Sequence, residues 1–92
     1  MRRHAREASR LMKAVGNENR LMILCALAEG ELSVGELLNR VDLSQSALSQ
    51  HLAVLRSEEL VSTRRESQSI FYSLSSSKAE GLIAFLFDTY CA

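Results

Sequence analysis

Few side chains in this 92-residue sequence can do chemistry. Two thiols, Cys25 and Cys91, lie far apart and in no C-x-x-C arrangement. In a reducing compartment that argues against a permanent staple and leaves buried thiols, ligands or a redox switch as readings. The imidazoles are His4 and His51, too few for a closed Cys/His zinc site within one subunit. No Ser/His/Asp set, phosphate-binding loop or carboxylate pair stands at usable spacing, so an enzyme is not expected, nor a cofactor or bound metal. Chemistry of another kind lies in "SQSALSQHL", Ser44 to Leu52. At about 100° per residue, Gln45, Ser46, Ser49, Gln50 and Ala53 share one arc that is flat, small and uncharged. An ordinary solvated helix face is built from Glu, Lys and Arg. Ser and Gln instead offer donors and acceptors together, which is what base edges in a DNA major groove require of a reader.

The elements that must carry these residues follow from apolar spacing. From Arg3 to Val15 a helical period runs through Ala5, Ala8, Leu11, Met12 and Val15, with arginines on the other side. "GNEN" breaks it, and Asn17 can cap the next helix. "RLMILCALAEG" is apolar nearly all round and belongs at the centre of a fold, with Gly30 as its stop. Ser33 and Glu36 have capping-box spacing and open a short helix that buries Val34, Leu37, Leu38 and Val41. After the turn "VDLS", Ser44 caps the polar helix, whose buried stripe is Ala47, Leu48, Leu52, Val54 and Leu55. "LVSTRRESQSIFYSL" alternates in two runs and predicts a β-hairpin. A last helix from about Ser77 carries Leu82, Ile83, Phe85, Leu86, Phe87 and Tyr90 on more than one side, enough for its own core and a second subunit.

Short helix, tight turn, longer helix and hairpin is the order of a winged helix-turn-helix: mainly α with a β-hairpin wing. In that arrangement the polar helix sits in the major groove, and Arg56, Arg64 and Arg65 at its margins can hold phosphates. The alternative is a merely solvated Ser/Gln face beside a plain core sheet. His51 points to the apolar side of its helix and is read as a structural histidine rather than a DNA contact. Eleven basic and eleven acidic side chains cancel, so net charge decides nothing, although the N-terminal end is locally basic. With no proline, repeat or low-complexity tract, one domain over residues 1–92 is expected. No apolar run approaches a membrane span and no secretory signal opens the chain, so a cytoplasmic protein without a membrane partner is expected.

The segment "ELSVGELLNRVDLSQSALSQHLAVLRSEELVSTRRESQSIFYSL" resembles the ArsR/SmtB family of winged-helix repressors, and the likeness extends over essentially the whole chain. Its most specific parts are "SQSALSQHLAVLR" and the wing pattern, and it is strongest to the branch named for HlyU and BigR. The resemblance implies a homodimer joined through the first and last helices, about 3–15 and 77–91, that binds double-stranded operator DNA until an inducer loosens it. It implies a helix-turn-helix over about 33–58, with Ser44, Gln45, Ser46, Ser49 and Gln50 facing the groove. It implies a wing over about 61–74 formed with Arg64, Arg65, Gln68 and Ser69.

This chain departs from the family at Glu59, where glycine is usual. A non-Gly residue there costs on the order of 1 kcal/mol if φ must be positive, unless the helix ends differently. The family's arsenic-type thiolate pair has no counterpart in "ELSVGELL", nor its zinc-type Asp and His pairs in "SKAEGLIAFLFDTYCA". What remains is the branch's thiol switch, which the resemblance puts at Cys25 and Cys91. There an oxidant or sulfane sulfur forms a disulfide or polysulfide link and lifts repression. Taken alone Cys25 would suit an inert buried thiol. Two other readings stay open: the same scaffold gated by a metal or other ligand at an intersubunit site, and a protein-interaction module that kept the fold without DNA binding.

Overall fold

The computed structural model describes residues 1–91. A 3-10 turn, Arg2–His4, leads into α1 (Ala5–Val15), so the regular helix starts two residues later than the apolar period suggests. At the α1–α2 corner a Cβ on Gly16 would lie 2.8 Å from the Met12 carbonyl oxygen, which excludes other residues without a shift. Asn17 then caps α2 (Glu18–Ala28), its Oδ1 accepting the Arg20 N–H at 3.1 Å. Helix α2 buries Ile23, Leu24, Ala26 and Leu27 and runs through the middle of the molecule. Gly30, at φ 148°, turns the chain out of it.

The next two residues, Leu32–Ser33, form β1, a strand that sequence reading missed. Ser33 also caps α3 (Val34–Arg40): its hydroxyl accepts the Glu36 N–H at 3.1 Å, and the Glu36 carboxylate accepts the Ser33 N–H at 2.9 Å. Both halves of the capping box are therefore made. Leu37 and Val41 are buried, Val34 and Leu38 partly so. Ser44 caps α4 (Gln45–Ser57) by accepting the Ala47 N–H at 3.1 Å. Leu48, Leu52 and Leu55 form its buried stripe, but Val54 is 39% exposed, since its position lies off that stripe.

Helix α4 ends in a left-handed residue despite lacking glycine. Glu59 holds φ 60°, its N–H donates to the Arg56 carbonyl at 3.0 Å, and the Leu60 N–H donates to the Leu55 carbonyl at 3.0 Å. This is a Schellman closure, completed by the buried pair Leu55 and Leu60. The helix has not ended differently to avoid the strain.

Strands β2 (Val61–Glu66) and β3 (Ser69–Leu74) pair antiparallel from Val61↔Leu74 to Glu66↔Ser69, closed by the two residues Ser67 and Gln68. The expected hairpin is thus one side of a three-stranded sheet of order β1-β3-β2, with Leu32 opposite Tyr72. Helix α5 (Ser77–Tyr90) starts at Ser76, whose hydroxyl accepts from the Lys78 and Ala79 amides. Its last N–H bond, from Cys91 to the Phe87 carbonyl at 2.8 Å, holds the second thiol at the helix end. Ile23 and Leu24 of α2, Leu37 of α3, Leu48 and Leu55 of α4 and Ile83 of α5 are the largest fully buried side chains. Helix α4 is therefore fastened to a core shared by four helices.

Candidate nucleic-acid interface and thiol pair

Ser44, expected to face the groove, spends its hydroxyl on capping α4. Gln45, Ser46, Ser49, Gln50 and Ala53 are all exposed and line the outer arc of α4, and Arg56 extends it into the last turn. A core of leucines on one side and an uncharged polar ridge on the other leave nothing bulky to keep a partner surface away.

The wing divides its two arginines. Alternation puts Arg65 opposite Ile70 and Arg64 opposite Phe71, on different faces of the sheet. Arg65 is exposed and, among the described residues, in no ion pair. Arg64 is committed elsewhere: Nε and Nη2 donate to the two Glu31 carboxylate oxygens at 3.1 and 2.7 Å, and Nη1 bonds Glu66. Its guanidinium carbon stands 4.7 Å from the Phe71 ring centroid. Hydrogen bonding from Arg64 holds the Glu31 carboxyl below the usual carboxylate range, and Glu31 and Glu66 raise the Arg64 pKa. A phosphate would have to compete with two carboxylates for Arg64, whose first job is to tie the wing to the turn after α2. Gln68, in the tight turn beside Ser67 at φ 56°, and Ser69 are exposed at the wing tip.

His51 is half-buried, and its Nδ1 lies 3.4 Å from Arg20 Nη1. Sequence reading missed Arg20. Its Nε donates to the Ala14 carbonyl at 2.6 Å and Nη2 to the Lys13 carbonyl at 3.1 Å, so one guanidinium satisfies the end of α1 from α2 and touches α4. The visible signal was an arginine on the first turn of an otherwise apolar helix.

Cys25 is half-buried on α2 and Cys91 is exposed at the end of α5; both are free thiols. Burial pushes the Cys25 thiol pKa up, and the Cys91 thiolate and Glu29 push the same way through their charge. The surfaces of α1, α2 and α5 leave large apolar side chains in solvent: Met12 (58% exposed), Met22 (52%), Phe85 (62%), Phe87 (36%) and Tyr90 (79%). No helix is long and apolar enough to cross a membrane among the described residues, and among them no three His, Cys, Asp or Glu side chains converge as a metal site would need.

The bacterial regulatory protein family arsR matches residues 17–63, from the cap of α2 to the middle of β2. The chain belongs to the arsR family. Over 91 residues it is 54% identical to the transcriptional activator HlyU of Vibrio cholerae, covering 99% of this chain and 84% of that one. The solved structure of reduced HlyU from Vibrio cholerae superposes with a TM-score of 0.95 at 53% identity, covering 100% of this chain and 97% of that chain. A biofilm growth-associated repressor of Agrobacterium fabrum is 47% identical over 92 residues, 100% of this chain and 79% of the relative. A homodimeric winged helix-turn-helix DNA-binding domain from Mycobacterium bovis, a possible ArsR-family transcriptional regulator, has a TM-score of 0.83 at 29% identity and covers 92% of this chain and 79% of that domain. This family member is therefore a transcriptional regulator with the winged helix-turn-helix fold. Among relatives this similar one is called an activator and another a repressor, so the sign of regulation does not follow from family membership.

Proposed function

We propose that residues 1–92 act as one winged helix-turn-helix unit, a homodimer in the cytoplasm that binds operator DNA sequence-specifically and is released when Cys25 and Cys91 react. The observation that carries the DNA reading is the exposed, charge-free Ser/Gln arc of α4, set between Arg56 and Arg65. Gln45, Ser46, Ser49 and Gln50 read base edges, while Arg56, Arg65 and the wing-tip Gln68 and Ser69 bind backbone. Arg64 contributes by fixing the wing through Glu31. Five large apolar side chains left in solvent on α1, α2 and α5, namely Met12, Met22, Phe85, Phe87 and Tyr90, support the dimer.

The thiol step is assigned from exposure and acidity. Cys91, in solvent, attacks a peroxide, giving a sulfenic acid and one molecule of water. The Cys25 thiolate then attacks that sulfur, a second water leaves, and a disulfide has formed at the cost of two electrons and two protons taken up by the peroxide. With an organic persulfide, Cys91 accepts the outer sulfur and releases the organic thiol; Cys25 then displaces hydrosulfide and the same disulfide results. Either link ties the central helix to the end of α5.

The test is selection from a random duplex pool with the reduced protein, followed by binding of the winner to Gln50→Ala and Ser46→Ala. Each substitution should cost on the order of 1–3 kcal/mol on the selected duplex and little on an unselected one. Failure to enrich any sequence would defeat specific DNA reading.

A further inference from the structure

Helix α1 carries a second charged surface that the base-reading unit does not use. Arg3, Arg6, Arg10 and Lys13 recur at intervals of three, four and three, so they form one stripe along the 3-10 turn and α1. Met12, the solvent-exposed apolar side chain of α1, falls on the side of the helix opposite Arg10, which leaves the stripe clear of the proposed subunit contact, while Ala8 and Leu11 line the floor beside the arginines. Arg3, Arg6 and Arg10 line one wall of an open groove whose other walls include Ser57 and Glu58 at the end of α4 and Lys78 at the start of α5. Two of these cations are already paired: Arg10 donates to the Glu58 carboxylate at 3.0 and 3.2 Å, and Lys78 bonds Glu7. Arg3 and Arg6 are exposed and, among the described residues, in no ion pair.

The groove begins where the reading surface stops. Ser46, Gln50, Ala53 and Ser57 fall at intervals of four, three and four along α4, one continuous line, and Ser57 is the groove's edge. The Arg10–Glu58 pair fixes α1 against the end of α4, so the stripe keeps a set position relative to the residues that read bases. We propose that this groove is a second DNA-backbone contact, in which Arg3 and Arg6 hold phosphates beyond those reached by α4 and the wing. Continuity favours a nucleic-acid backbone over an acidic protein: the Arg3 and Arg6 guanidinium groups share the groove with Ser57, the end of that ridge, and stay out of ion pairs although Glu7, Glu58 and Glu59 also line it. Contacts of this type add affinity without selectivity.

The inference rests on the DNA reading above, and its test separates the two. Affinities of wild type, the double variant Arg3→Gln/Arg6→Gln and the charge-keeping Arg3→Lys/Arg6→Lys are measured across a salt series, on the selected duplex and on an unselected duplex of equal length. Loss of two phosphate contacts should make the slope of log affinity against log salt shallower by about 1.8 per subunit. The lysine variant should keep the wild-type slope, and the ratio of selected to unselected affinity should stay constant. Wild-type binding with an unchanged slope in the glutamine variant would overturn the second contact alone. No wild-type binding to either duplex would overturn both readings. Equal unfolding midpoints for the three proteins check that the exposed substitutions leave the fold intact.

Discussion

Glu59 shows how one residue can keep a conformation that its side chain disfavours. At φ 60° its Cβ crowds the following carbonyl, yet the Schellman bonds from Glu59 to Arg56 and from Leu60 to Leu55 hold the turn. Glu59→Gly should raise stability by about 0.5–1 kcal/mol, the relief of αL strain less the extra chain entropy of glycine; urea unfolding at fixed protein concentration reads it. At Cys25 the pKa is raised by burial first, so the thiol stays protonated to higher pH than an ordinary cysteine. Alkylation followed by mass spectrometry should therefore modify Cys91 first near neutrality, with the Cys25 rate still climbing above the usual thiol range. Several residues at this scale were legible before any coordinates. Asn17, Ser33 with Glu36, and Ser44 each announce a cap because short polar side chains reach a free N–H only at that position. Arg20 was not legible, since its partners are backbone carbonyls whose availability depends on where α1 ends.

The helices could be read from spacing because each buries one stripe, and the hairpin could be read from its alternation. Strand β1 could not: two residues show no period, and they become a strand only because β3 offers a free edge. The same blindness hid the job of Arg64, since Glu31 is 33 residues away in sequence. This pair gives the wing an acid-sensitive anchor. The Glu31 pKa is depressed in the folded protein, so its contribution is present above the unfolded carboxylate value and is lost as pH falls through the lower folded value. The Arg64 side-chain NMR signals should move over that acid range, and the part of the movement that belongs to Glu31 should disappear in Glu31→Gln. At the exposed face of α5, Phe85→Asp should put a charge where the account places a partner subunit. Sedimentation should then show a monomer at concentrations where wild type is dimeric, with weaker binding to a two-half-site duplex. A wild-type monomer would sink the dimer.

For the whole molecule, the proposed function depends on how far apart the two α4 helices of a dimer are held, roughly 34 Å for half-sites one turn apart. The chain has a mechanical route to that spacing. Cys25 lies on the helix that supports α4 through the shared core, Cys91 ends α5, and Arg20 joins α2 to the end of α1 while touching His51 on α4. A coupling of only about 1–3 kcal/mol through these contacts changes affinity from several-fold to about a hundredfold. The fold was visible in the sequence because its helices and hairpin are local patterns on single elements. The packing of α5 against α2 was not, because it joins elements far apart in the chain. The decisive measurement is affinity of the reduced protein for its selected duplex, repeated after peroxide or an organic persulfide, with Cys25→Ser and Cys91→Ser treated alongside. The account predicts a loss of several-fold or more in wild type, restored by a dithiol and absent from both serine variants. An equal loss in those variants, or none in wild type once mass spectrometry shows the disulfide formed, would contradict it.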